Sequence, residues 1–271
     1  MIEALSYDFI QNAIYAGILV SIASGIIGSL VVVNRMVFLS GGIAHTAYGG
    51  IGLAVYFGFP IFFGASLFAV GAAFFMAWIT LHQRERMDTF IGLIWAVGMA
   101  IGIILIDLTP GYHVDLLSYL FGSILAVSRE DIYYMAVLTI AIVLIVSLRY
   151  RDILAVSYDS EYAALRGINV PFFYTLILVM SALTVVIAIK VVGLILVIAL
   201  LTIPIYISEK LSSSLGGMML ISGILSTFFT LIGLFLSYQY DLTSGATIIM
   251  VSAVVLMSFL GYQRFSQRGR A

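Results

Sequence analysis

Long runs of apolar positions with brief polar punctuation extend from one end of the chain to the other. They fall at roughly 10–33, 36–57, 60–81, 89–107, 131–148, 171–190, 192–208, 215–238 and 244–262. At about 1.5 Å per residue, some 20 helical residues cross the ~30 Å hydrocarbon layer of a bilayer. The apolar positions are continuous rather than alternating. Lipid offers a backbone no hydrogen bonds, so continuous runs predict helices and exclude the strands of a barrel. The pattern predicts an all-α, polytopic transmembrane bundle of eight or nine spans. A shorter apolar piece, "DLLSYLFGSILAV" (115–127), is too short to cross and is expected to be re-entrant or a half-helix. The loops are short, so residues 1–271 form a single transmembrane domain with no soluble appendage.

Composition agrees with the pattern. The chain is 63% hydrophobic and 9% charged, with a mean hydropathy of +1.18, far from the charge content of a soluble domain. It has no cysteine, which excludes disulfides, thiolate metal ligands and a cysteine nucleophile. A net charge of −1 without a basic cluster gives no footing for nucleic acid. "MIEALSYDFIQ" lacks a basic n-region and reads as a lead-in to the first span. With the N-terminus outside and nine spans, Arg35, Arg84, Arg86, Arg149, Arg151, Arg166, Lys210, Arg264, Arg268 and Arg270 fall on the cytoplasmic side. Only Arg129 and Lys190 fall outside. That asymmetry is the positive-inside signature, and it puts the C-terminus in the cytoplasm.

Against this background His45 stands out. It lies near the middle of the second run, in "FLSGGIAHTAYGGIGLAVYFG", with no other charged side chain in that stretch. Gly41, His45, Gly49 and Gly52 fall on one helical stripe. Small residues there either admit a neighbouring helix closely or leave a lumen beside the imidazole. A polar ionisable group at that depth is a candidate for an ion pathway, since neutral imidazole is a common metal ligand. The alternative is a histidine bonded between helices as structural glue.

The most polar stretch is "RYRDILAVSYDSEYAALRGINV" (149–170). It reads as a short capped helix: Ser160 as N-cap, acids in the first turn, Arg166 near the end and Gly167 as the stop. Such a helix either lies across a partner or merely connects two spans.

Five segments together resemble the permeases of the metal-uptake family of ABC transporters, the zinc/manganese/iron type. They are "LSGGIAHTAYGGIGLA" (39–54), "VDLLSYLFGSILAVS" (114–128), "YDSEYAALRGINV", "KVVGLILVIALLTIPI" (190–205) and "GLFLSYQYDLTSGATIIM" (233–250), and they occur in the family's order over nearly the whole chain. The resemblance implies an importer-type permease in the cell membrane, working as two copies. Each copy would dock a separate ATP-binding subunit, and an external metal-binding protein would deliver the ion. It implies that the segment around 152–170 couples to the ATPase, with Glu161, Ala164, Leu165, Arg166 and Gly167 in contact. It places His45, Gly41 and Gly49 on the metal pathway. Many members carry an Asp four residues before the histidine, where this chain has Gly41. Loss of that hard oxygen ligand points toward zinc rather than manganese or iron. The metal is cargo, and no permanently bound cofactor is expected.

Asp107, His113, Asp115 and Asp241 are expected near the outer face, as transient metal contacts or as helix caps, Asp115 and Asp241 each lying just before a predicted helix. The chain contains no Gly-rich loop ending in Lys-Ser/Thr, so it is not expected to hydrolyse nucleotide itself. Rival readings are a permease for a metal chelate such as haem or a siderophore, an ATP-independent carrier, and an intramembrane hydrolase. The carrier would want inverted repeats and several intramembrane carboxylates. A metalloprotease would want paired histidines and a glutamate on one helix.

Overall fold

The computed structural model describes residues 7–82, 87–110 and 120–268. Among these the chain is helical throughout, without strands: α1 (Asp8–Val33), α2 (Val37–Phe57), α3 (Ile61–His82), α4 (Met87–Asp107), a short 3₁₀ turn (Ile124–Ala126), α5 (Arg129–Leu148), α6 (Tyr150–Tyr158), α7 (Ser160–Leu165), α8 (Val170–Val192), α9 (Val197–Leu200), α10 (Ile203–Leu211), α11 (Leu215–Tyr240) and α12 (Ser244–Arg268). Seven of them, α1, α3, α4, α5, α8, α11 and α12, are long and apolar enough to cross a membrane. Helix α2 has 21 residues and so matches them in length. Its glycines, Thr46 and His45 dilute its apolar character, and it lies almost wholly inside the bundle.

The helices sort into an inner and an outer set. In α8 and α1, 72% and 67% of the most apolar window is buried, against 22% in α5 and α12. Apolar side chains all round a helix are what lipid exposure permits, so the outer helices need no polar face. Helix α1 packs on α11, α8 and α5, while α2 packs on α4, α3 and α8. With no hydrophobic force between helices in lipid, close packing and small hydroxyls hold them together. Ser40 and Ser181 hydroxyls bond at 2.7 Å across α2 and α8. Ser222 donates to the Gly25 carbonyl at 2.9 Å across α11 and α1.

The 192–208 run, expected as one span, is not one helix. Helix α8 closes at Gly193, α9 has four residues, and α10 starts again with Pro204 in its first turn. Proline has no N–H to give an upstream carbonyl and suits only the opening turn of a helix. Of the 115–127 piece, 115–119 lie outside the described residues. The rest leaves helix at Gly122 and is strapped to α8 and α12. Ser123 N–H donates to Lys190 O at 3.2 Å, and Ile124 N–H donates to the Ser244 hydroxyl at 3.1 Å.

Candidate functional site

His45 sits in the ninth position of α2 and is 7% exposed. Its imidazole lies parallel to the indole of Trp95 on α4, with ring centroids 3.7 Å apart and planes 11° from parallel. The Nδ1 atom is buried and makes no hydrogen bond. The pair is held from both sides of the sequence. Thr46 donates to the Ile94 carbonyl at 3.2 Å and to its own Gly42 carbonyl at 2.7 Å.

The glycines of the stripe serve helix contact, not an opening beside the ring. A methyl group on Gly49 would lie 2.8 Å from the Gly98 carbonyl, and one on Gly52 would run into the Gly102 backbone. Helices α2 and α4 therefore meet backbone to backbone, which only small residues allow. Gly41 faces a different element: a methyl there would come within 2.8 Å of the Ile198 side-chain tip on α9. The space a carboxylate would take at position 41 is filled by Ile198.

The second region lies at the opposite extreme of exposure. Helix α7 contributes only Ala163 to the core. Glu161, Ala164, Arg166 and Gly167 are exposed, Leu165 is 88% exposed and Tyr162 51%. The cap differs from the sequence expectation. Asp159, not Ser160, is the N-cap, its carboxylate accepting from Tyr162 N–H at 2.9 Å. Asp and Ser are equally good caps, so composition alone does not separate two that are adjacent. Gly167 follows the helix at φ 79° with no neighbour around its missing side chain. Glycine is needed there for its backbone angle. Behind α7, the turn between α1 and α2 is joined to α6. Asn34 Nδ2 donates to the Ser157 hydroxyl at 2.9 Å and to the Leu30 carbonyl at 2.8 Å. Sequence reasoning missed both this bond and Trp95. The only hint of the latter was that the chain has just two tryptophans.

Two of the four outer acids and histidines expected near the external face fall among the described residues. Asp107 is exposed at the end of α4, while His113 and Asp115 lie outside the described residues. Asp241 is not an N-cap of α12. It occupies the C-cap of α11 at φ 52°, its N–H donating to Ser237 O. Among the described residues no three His, Asp or Glu side chains cluster as a metal site would require. Lys190 forms an ion pair with Asp131 at 3.5 Å, joining the end of α8 to the start of α5.

The sequence pattern of the ABC 3 transport family matches residues 6–262. The chain belongs to that family and is a multi-pass ABC transporter membrane subunit. A membrane protein of Synechocystis sp. is 48% identical over 264 residues, covering 97% of this chain and 94% of its own. The manganese transport system membrane protein MntC of Listeria monocytogenes is 31% identical, covering 93% of this chain and 89% of its own. A chain of PsaBC from Streptococcus pneumoniae, solved with a Fab, superposes with a TM-score of 0.87 at 30% identity. The match covers 95% of this chain and 93% of that one.

Proposed function

We propose that the chain is the membrane-spanning subunit of an ATP-driven importer of a divalent transition metal ion, acting as two copies with a separate ATPase and an external metal-binding protein. The observation that carries this reading is α7. It is a short capped helix whose apolar Leu165 is almost bare, while Tyr162 is half-exposed with only the Arg166 guanidinium over its ring, 5.8 Å from the centroid. Single exposed leucines are ordinary on protein surfaces. Here the whole element has only one buried residue, and it lies in a family of ATP-driven transporters. Glu161, Ala164, Leu165, Arg166 and Gly167 form the contact with the ATPase. Helix α2 and the broken α9–α10 segment complete nine crossings, with α7 and the C-terminus in the cytoplasm. The distribution of arginine and lysine supports that sidedness.

His45 is the group the ion meets within the bilayer. A buried imidazole whose Nδ1 has no partner supports this over structural glue, because glue must bond something. With Gly41 in place of a carboxylate the donor set is nitrogen, which favours zinc. The likeness to the Listeria manganese transport protein favours manganese. Uptake of the two ions by the complete complex in vesicles decides between them. In the same assay His45→Ala is expected to abolish uptake of whichever ion is carried, while ATP hydrolysis continues. Uptake at the wild-type rate rejects His45 as the pathway ligand.

A further inference from the structure

We infer that Trp95 is the positioning residue of the metal pathway: its indole, stacked on His45, fixes the imidazole so that its edge meets the passing ion. This rests on the reading of His45 as pathway ligand and adds a residue to it. A ring nitrogen binds a metal through a lone pair in the ring plane, so a ligating histidine must be held in orientation as well as in place. Metal-ligating histidines usually get that orientation from a hydrogen bond on the second ring nitrogen. In His45 the Nδ1 atom has none, and the contact that defines the ring plane is the parallel indole 3.7 Å away.

The stack is braced by its neighbours in sequence. Thr46, next to His45, bonds the carbonyl of Ile94, next to Trp95. One turn on, a methyl group added to Gly98 would lie 2.7 Å from the Thr46 backbone. The two rings therefore move as one unit with the α2–α4 pair. Trp95 is 38% exposed, so its outer side is not consumed by packing, while its inner face covers one side of the imidazole. The covered face is closed to the ion, and the stack sets the direction of the ring edge that carries the lone pair.

The test uses Trp95→Leu, which keeps bulk and loses the ring, and Trp95→Phe, which keeps a ring. Both are placed in the complete complex in vesicles, with zinc and manganese as the probes. Trp95→Leu is expected to raise the half-saturating metal concentration by about tenfold or more, the usual scale for losing an orienting partner of a metal ligand. The rate at saturating metal should stay within about twofold, since only binding is lost. Trp95→Phe is expected to stay near wild type. A residue that merely fills space would instead change assembly and leave the half-saturating concentration alone. The assignment is overturned if Trp95→Leu binds normally, or if Trp95→Phe is as damaged as Trp95→Leu. It is also overturned if Trp95→Leu fails to assemble with the ATPase. His45→Ala run alongside separates the two levels: normal uptake there removes the pathway reading itself. A dead His45→Ala beside a normal Trp95→Leu removes only Trp95.

Discussion

The α2–α4 pair and the α7 helix each carry one of the two roles proposed for this chain, yet they are built in opposite ways. Around His45, every glycine of α2 is consumed by contact with another helix of the same chain. Gly49 lies against the Gly98 carbonyl, Gly52 against Gly102, and Gly41 against Ile198. Around Leu165 almost nothing is consumed, and Gly167 has open space where a side chain would be. The difference matches the two kinds of work proposed for them. A group that must hold an orientation against a moving ion is fixed by its own chain's packing. A group that must receive force from another protein is left bare, because its packing partner is elsewhere. Bulk added at the glycines of the first region should accordingly fail through the fold, and substitutions on the bare face of α7 through coupling alone.

The largest effect is expected at Gly52. A valine there would drive its side chain into the Gly102 backbone, which has no rotamer with which to give way. Overpacking of this kind costs about 1–3 kcal/mol even where side chains can adjust, and here the obstacle is main chain. Gly52→Val should lower the melting temperature of the purified permease sharply and reduce the amount that assembles. A variant that melts like the wild type would show that α2 and α4 are not locked together, and the comparison would lose its first half.

Leu165→Asp should do the reverse. The side chain is 88% exposed, and exposed substitutions away from special features usually stay within about ±0.5 kcal/mol. The melting temperature of the isolated permease should therefore hold, while retention of the ATPase on purification and metal-stimulated ATP hydrolysis collapse. Full retention with full stimulation would mean that α7 is an ordinary connector.

The two regions also differ in how far the sequence reveals them. Hydropathy runs locate the long helices to within a few residues, because a membrane span is a one-dimensional property of composition. The 192–208 run misleads for the same reason. It is apolar throughout; Pro204 marks the restart at α10 in the sequence itself, but the short α9 before it packs on α8 and α2 and is not signalled by hydropathy. His45 is conspicuous as a titratable group in an apolar run, but Trp95 is not, since an aromatic in a membrane helix is commonplace. Only the α2–α4 crossing brings the two rings face to face. The caps are misplaced where chemically equivalent residues are adjacent, as with Asp159 and Ser160. Asp241 is misread because its positive φ belongs to the end of α11 rather than to the start of α12.

The smallest effect is expected at the joint between the two regions. Asn34 closes α1, one turn of chain before α2 begins, and its amide donates to Ser157 on α6, which leads into α7. Ser157→Ala removes one hydrogen bond and leaves Asn34 its bond to the Leu30 carbonyl, a loss of about 1 kcal/mol. If force from a partner on α7 reaches α2 through this joint, the variant should assemble normally and bind metal normally. It should hydrolyse more ATP for each ion moved, because part of the stroke is lost between α6 and α2. The ratio of phosphate released to metal taken up in vesicles measures this. An unchanged ratio would place the connection elsewhere, most directly through the contacts of α6 and α7 with α8, which packs against α2 in turn.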